Sequence, residues 1–354
     1  MKDNIPFSTG LVFLKNLVKN SSYEYQDSFY IEFEKYFKEE FCQKLIQIFG
    51  TVKNLSKETE ISYTRLYDQL TRVPMSIEVL NILVNILVSM GFDSFNFSNI
   101  EKKILFIKSG GSKSQKLFYP KFPINLKTKE GVRIISHLYH DGGISESSNK
   151  QPLYVNQSKK EIEQFLQDSK NIFGDFDRKI TIGFGNGIKK TPYYKVCLPT
   201  VIGKIFICAG FIPGDKTKNN HPVFDFLINL DEKELIIEYL AKAFNDECHV
   251  RDREITLGQS TLINSESELK VSNILLLDKL FLEKIYIPVN GPKLIKIYKN
   301  KDGLVAKFQI AIYAKENLKK FSENIILIER KQRKLEKYLI GTTKPATLTN
   351  ILRT

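Results

Sequence analysis

A chain of 354 residues is longer than one ordinary core of roughly 100–200 residues, so several domains are expected. Hydrophobic residues at 42% and aromatic residues at 12% exclude long disordered stretches. The balance of 53 Lys and Arg against 40 Asp and Glu, a formal net charge of +13, points towards a polyanionic partner without establishing one.

Cys42, Cys197, Cys208 and Cys248 lie far apart with no CxxC pair, which argues against a zinc ribbon or a secreted disulfide framework. No apolar run approaches the ~18 residues that a membrane span requires. The stretch after Met1 shows no apolar segment followed by a small-residue cleavage site, so a cytoplasmic protein without a membrane anchor is expected.

In chain order, residues 27–41 (DSFYIEFEKYFKEEF) place apolar residues at roughly helical spacing and predict a packing helix. Its aromatic stripe, Phe29, Tyr30, Phe33, Tyr36 and Phe37, reads as core rather than as a base-stacking platform. Residues 40–90 are helical throughout, with Gly50 and Gly91 as stops and Pro74 inside the last connection. Within them VKNLSKETEISYTRLYDQL (52–70) offers two short helices joined by a tight turn, an arrangement that lets the second helix enter a major groove. Leu55, Ile61, Leu66 and Leu70 take the inward positions, Ser56 is the small residue between the helices, and Ser62 is the expected N-cap. Tyr63, Thr64, Arg65, Tyr67, Asp68 and Gln69 then form the exposed face, of which Arg65 and Gln69 suit bidentate contacts to base edges. Over about 40–92 the segment resembles the repressor-type helix-turn-helix family, with Glu60 standing where that family places glycine.

Residues 106–130 are rich in Gly, Ser, Lys and Pro, which is linker composition, and separate a helical domain (1–105) from the remainder of the chain. Beyond them a helix, short β-type runs and a second helix occur in one order twice, over 131–230 and 231–340, before a tail at 341–354. The expected fold class is α+β, an all-α module followed by a duplicated αββαββα domain.

Each half carries an acid at a helix end: Asp141 in IISHLYHDGGI (134–144), with the small Ser136 inside the helix, and Glu247 in YLAKAFNDECHV (239–250). A shift of one residue would put Asp246 in place of Glu247. The flanking runs match as well: PLYVNQSKKEIEQFLQDSKNIFG (152–174) and EITLGQSTLINSESELKVSNILLLDKL (254–280) are each a strand then a helix, with Gln157 and Gln259 at matching strand ends. On these residues, and on GFIPGDKTKNNHPVFDFL (210–227) and FQIAIYAKENLKKFSENI (308–325), residues 130–340 resemble the LAGLIDADG homing endonucleases. Cys248 departs from that pattern, taking the place of a glycine.

The resemblance implies two closely crossing helices whose end acids, Asp141 and Glu247, hold a divalent cation such as Mg²⁺ at a scissile phosphate. It gives Lys216, Gln157 and Gln259 the peripheral role of ordering water and balancing charge. Double-stranded DNA is the implied partner and a pseudo-twofold monomer the implied assembly. Lys189, Lys190, Lys195, Lys218, Arg251 and Arg253, in or beside strand-like runs, would neutralise phosphates. His137 and His140 beside Asp141 could be read as a zinc cluster, but no further ligands occur at zinc spacing, and they are taken as partly buried helix residues. Two alternatives stay open: a DNA-binding regulator on the same scaffold that no longer cuts, and a maturase-like partner of structured RNA.

Overall fold

The computed structural model describes residues 9–21, 29–110, 114–147, 150–185, 191–251 and 253–341. Their elements mix helix and sheet, in keeping with an α+β protein. They group into two compact units. The first takes in the described residues of Met1–Ile134, Gly142–Gly214 and Phe224–Asn229, and the second those of Ile135–Asp141, Asp215–Val223 and Leu230–Thr354. Among the described residues no helix is long and apolar enough to cross a membrane.

The first unit opens with β1 (Leu11–Val12), α1 (Leu14–Ser21), β2 (Phe29–Phe33) and α2 (Lys35–Phe49), followed by α3 (Val52–Thr59), α4 (Tyr63–Thr71), β3 (Met75–Ser76) and α5 (Ile77–Ser89). Next come α6 (Phe97–Ile100), β4 (Ile104–Ser109), β5 (Lys116–Phe118) and β6 (Ile124–Asn125). The helix expected over 27–41 is corrected here, because Phe29, Ile31 and Phe33 alternate as buried residues on the strand β2 and the helix begins only at Lys35. The aromatic stripe divides accordingly: Phe29 and Phe33 enter the core, whereas Tyr36 is 85% exposed.

The stretch 106–130 is not a structureless linker either. β4 pairs with β2 (Ile31 opposite Ile107) and β5 with β4 (Ile107 opposite Leu117), while Leu117, Ile124 and Leu126 are buried. Gly110, Pro120 and Pro123 lie between these short strands. The sheet runs β3-β2-β4-β5.

The chain continues through α7 (Lys129–Tyr139), β7 (Gly143–Ile144), β8 (Pro152–Asn156), α8 (Lys159–Phe173), β9 (Thr181–Phe184), β10 (Pro192–Cys197) and α9 (Thr200–Cys208). After α10 (Lys216–Asn219) and α11 (Asp225–Ile228) it runs through α12 (Lys233–Glu247), β11 (His249–Arg251), β12 (Glu254–Ile263), α13 (Asn273–Lys284), β13 (Asn290–Asn300), β14 (Gly303–Ile312), α14 (Lys315–Asn324) and α15 (Glu329–Gly341). Two four-stranded antiparallel sheets result, β7-β8-β10-β9 in the first unit and β11-β12-β14-β13 in the second. Both have the order first, second, fourth, third, with a helix between the second and third strands.

In the second unit α12 shows why this sequence folds as it does. Ile236, Tyr239, Leu240, Ala243 and Phe244 recur at helical spacing and are all buried. The last-turn carbonyls that a helix leaves unsatisfied are taken by Lys331 of α15, whose Nζ donates to Phe244 O at 2.9 Å and to Asn245 O at 2.8 Å. The acid-bearing end of α12 is thereby fixed.

Candidate active site

Residues 135–141, the last turns of α7 and the acid just beyond it, belong with α12 in the second unit. The contact between them is close because Ser136 is small and fully buried, and its Oγ donates to Tyr239 O at 2.8 Å. Both Asp141 and Glu247 therefore fall within this unit, together with Lys216 and Gln259.

Asp141 is exposed as a residue, yet its carboxyl is crowded on one side. Desolvation, reinforced by the negative charges of Asp246 and Glu247, pushes its pKa up to about 7, against the opposing pull of His140 and Lys216. Burial likewise raises the Glu247 carboxyl above the ordinary range, with His140 and Lys216 opposing and Asp278 and Asp246 adding to it. Gln259, in β12, donates from Nε2 to Glu247 Oε2 at 2.7 Å and aims that carboxylate.

Lys216 opens α10 and its Nζ donates to the carbonyl of His140, at the C-terminal end of the α7 turn. Burial lowers the Lys216 ammonium below its usual range, while Glu247, Asp141 and Asp246 hold it charged. A helix-end carbonyl and three carboxylates act on one ammonium, so Lys216 offsets part of the negative charge of the acids.

His137 on α7 and His140 just past its end are buried rather than partly so, and each has a carboxylate of its own. His137 Nδ1 lies 2.8 Å from Asp246 Oδ2, with both side chains at 0% exposure. His140 donates from Nδ1 to Ser136 O at 2.7 Å and from Nε2 to Asp278 Oδ2 at 3.2 Å. Burial works against its charge, but the Asp278 carboxylate, joined by Glu247 and the Ser136 carbonyl, lifts His140 to about 9, an imidazolium at neutral pH. Asp246 is thus engaged with a histidine and Glu247 with Gln259, while the Lys216 ammonium feels both carboxylates.

Asp278 and Tyr239 escaped the sequence reading. Burial first, and the Asp278 carboxylate next, keep the Tyr239 phenol protonated far above neutral pH. The available signal was an acid inside the apolar run of α13 (NILLLDKLFLEK), which demands a buried cation such as His140.

Gln157 is corrected. It lies in the first unit, is exposed and comes after β8, whereas Gln259 sits inside the longer β12, so the two are not at matching strand ends. Cys248 has φ −73° and ψ 151°, ordinary for an L residue, so the backbone leaving α12 does not require glycine.

A hard divalent cation suits this donor set. The acids offer oxygen only, and their mutual repulsion is what a bound cation relieves. Among the described residues no group of three or more His, Cys, Asp or Glu is arranged to hold a metal by itself. Mg²⁺ typically takes one or two carboxylates and completes its shell with water and substrate phosphate.

No protein-family model and no curated protein sequence matches the chain. Among solved structures, mesophilic variants of the homing endonuclease I-DmoI align with TM-score 0.35 and 12% identity, over 58% of this chain and 96% of that one. I-DmoI with DNA and manganese aligns with TM-score 0.32 and 13% identity over 56% and 96%. I-DmoI with DNA and calcium gives 0.32 and 11% over 55% and 88%. Alignments this loose assign no activity to the chain, and its function is read from its own residues.

In the first unit α3 and α4 are joined through Ile61 and Ser62, with Leu55, Ile61, Leu66 and Leu70 buried and Ser56 Oγ donating to Ile61 O at 2.6 Å. Glu60 adopts φ 56°, the left-handed conformation that glycine takes without penalty. Tyr63, Thr64 and Arg65 are exposed on α4. Gln69 is corrected: it is 7% exposed and its Oε1 accepts from Ser76 N at 2.9 Å, because the helix turns that position onto β3. Ser62 stands at the N-cap position of α4 without a side-chain capping bond.

Of the expected phosphate-neutralising residues, Lys195 lies on β10, Arg253 is exposed, Arg251 pairs with Glu254 at 3.2 Å and Lys218 pairs with Asp302 at 2.8 Å. Lys189 and Lys190 lie outside the described residues. Sequence reasoning passed over one informative pair: Lys296 of β13 stands opposite Lys307 of β14. Like charges facing each other across a ladder cost stability, and a polyanion laid across them removes the cost.

Proposed function

We propose that the chain is a sequence-specific double-stranded DNA-binding protein with divalent-metal-dependent endonuclease activity, acting as a monomer because one chain supplies both acids. The observation that carries this reading is the crowding of Asp141, Glu247 and Lys216 at two helix ends within one unit, with Asp141 pushed up to about 7 partly by its acidic neighbours. Lys216 and His140 offset only part of the negative charge of this cluster, and packing alone does not call for the excess.

In the proposed reaction water adds to a backbone phosphorus as the bond to one ester oxygen breaks, leaving a phosphate monoester end and a hydroxyl end. Mg²⁺, when bound, would supply Lewis-acid charge to the phosphate oxygens. Asp141 and Glu247 would hold it, Gln259 fixes the Glu247 carboxylate, and Lys216 balances charge as the phosphate gains it. The Lys296–Lys307 pair, Lys195 and Arg253 would meet DNA backbone, while Tyr63, Thr64 and Arg65 of α4 would reach base edges as in a helix-turn-helix. The like order of strands in the two four-stranded sheets supports a duplicated αββαββα architecture.

A DNA-binding regulator that does not cut is the second reading, favoured by one observation: Lys216 and the His140 imidazolium already place positive charge beside the acids. Selecting sites from a random duplex pool and incubating the winners with magnesium or manganese separates the two. Double-strand products from the wild type and none from Asp141→Asn support the enzyme. A selected, tightly bound duplex that stays intact under both metals leaves only the regulator.

A further inference from the structure

β11 is an edge strand of its sheet, pairing only with β12, and α15 packs against it within the second unit. Between them lies a cavity of about 220 Å³ lined by His249, Arg251, Arg330, Lys331 and Lys334. That is several times the roughly 30 Å³ share of one water, so an ion and part of its hydration fit. Lys331 forms a floor: it is 8% exposed and spent on the carbonyls of Phe244 and Asn245. Arg251 has Glu254 as a partner at 3.2 Å. Arg330 and Lys334 are exposed at the rim, one helical turn apart, and among the described residues neither has a carboxylate within ion-pair distance.

A strand and a helix distant in sequence bring these cations together, and mutual repulsion opposes that arrangement unless an anion completes it. The guanidinium forks of Arg251 and Arg330 match the oxygens of a phosphate, and the Lys334 ammonium adds a point charge.

We propose that the cleft between β11 and α15 is a phosphate-binding site, with Arg330, Lys334 and Arg251 as its ligands. The phosphate could belong to a nucleic-acid backbone or to a free polyphosphate. The site takes none of its ligands from the acids at the helix ends and does not require the endonuclease reading.

The test uses the full chain and two double variants of equal charge loss, Arg330→Gln with Lys334→Gln in the cleft and Lys319→Gln with Lys320→Gln on the exposed side of α14 as control. Circular dichroism checks that both fold. Tripolyphosphate is titrated calorimetrically at low salt, and a selected duplex is titrated over a range of salt concentrations. The cleft variant should lose at least about 10-fold in affinity for one probe, since charge-assisted hydrogen bonds are removed, while the control loses about 2-fold or less. A loss confined to the duplex, with a salt slope lower by about two, assigns the phosphate to DNA backbone. A loss for tripolyphosphate assigns a free phosphate ligand, and it stands even if the wild type binds no DNA. Failure of the wild type to bind either probe, or a cleft variant that behaves as the control does, overturns the proposal.

Discussion

Asp141 and Glu247 each close a helix, but the chain supports them by different means. Asp141 is followed by Gly142 and Gly143, stands exposed, and is stabilised as an anion by the charges of His140 and Lys216. Glu247 is pinned: Gln259 donates to it, Cys248 behind it is buried, and Lys331 ties down the carbonyls of the turn that carries it. Among the described residues a side-chain hydrogen bond holds the Glu247 carboxylate, whereas Asp141 stands just past the end of its helix. The difference teaches that two positions can be matched by eye in the sequence while their energetics are set by residues far along the chain.

The sharpest way to break this comparison is to neutralise the acids one at a time. Asp141→Asn should reduce cleavage of a selected duplex by on the order of a thousand-fold, the scale of several kcal/mol of cation stabilisation, while leaving affinity within about twofold. Glu247→Gln should be equally severe if both acids share one ion; unchanged single-turnover rates for either would remove that acid from the reaction.

Loss of the Gln259 donor is the next largest effect. Gln259→Leu should slow cleavage by roughly 10- to 100-fold, as expected for one hydrogen bond to a charged group, and no equivalent loss should accompany Gln157→Leu. Equal losses for the two would mean that the support is symmetric after all.

The acids also set a pH response. A carboxyl whose folded pKa lies near 7, against about 4 when unfolded, binds more protons in the native state, so its penalty to stability grows as pH rises through that window and is complete above it. The midpoint of thermal unfolding of metal-free protein should accordingly fall between pH 5 and pH 8 by more in the wild type than in Asp141→Asn. Magnesium or manganese should recover more of it at pH 8 than at pH 5, and a flat difference between the two proteins would discard the raised pKa.

The smallest expected effects lie in the first unit. Arg65→Ala should weaken binding to a selected site by about 1–3 kcal/mol if α4 reads bases, measured by competition against a scrambled duplex. Gln69→Ala should instead lower the unfolding midpoint and leave specificity alone, because its side chain serves Ser76.

Much of the topology was legible because it rests on local signals. Helices α3, α4 and α5 follow apolar spacing, glycine stops follow α2 and α5, and both acid-bearing helix ends were located from short runs of sequence. The failures have physical causes. β2 carries enough charge around its aromatic residues to mimic a helix, although Phe29, Ile31 and Phe33 keep the two-residue period. The strands β4 to β6 are short and turn-rich, so their composition resembles that of a tether. The partners of His137 and His140 come from α12 and α13, and no local pattern announces contacts made over more than 100 residues. Gln69 shows the same limit at short range, since its burial depends on where β3 lies.

Lys331 makes the fate of Glu247 depend on the far end of the chain. The ammonium that plugs the α12 carbonyls is carried by α15, so nicking or shortening the polypeptide upstream of that helix would unseat a carboxylate that the cut never touches.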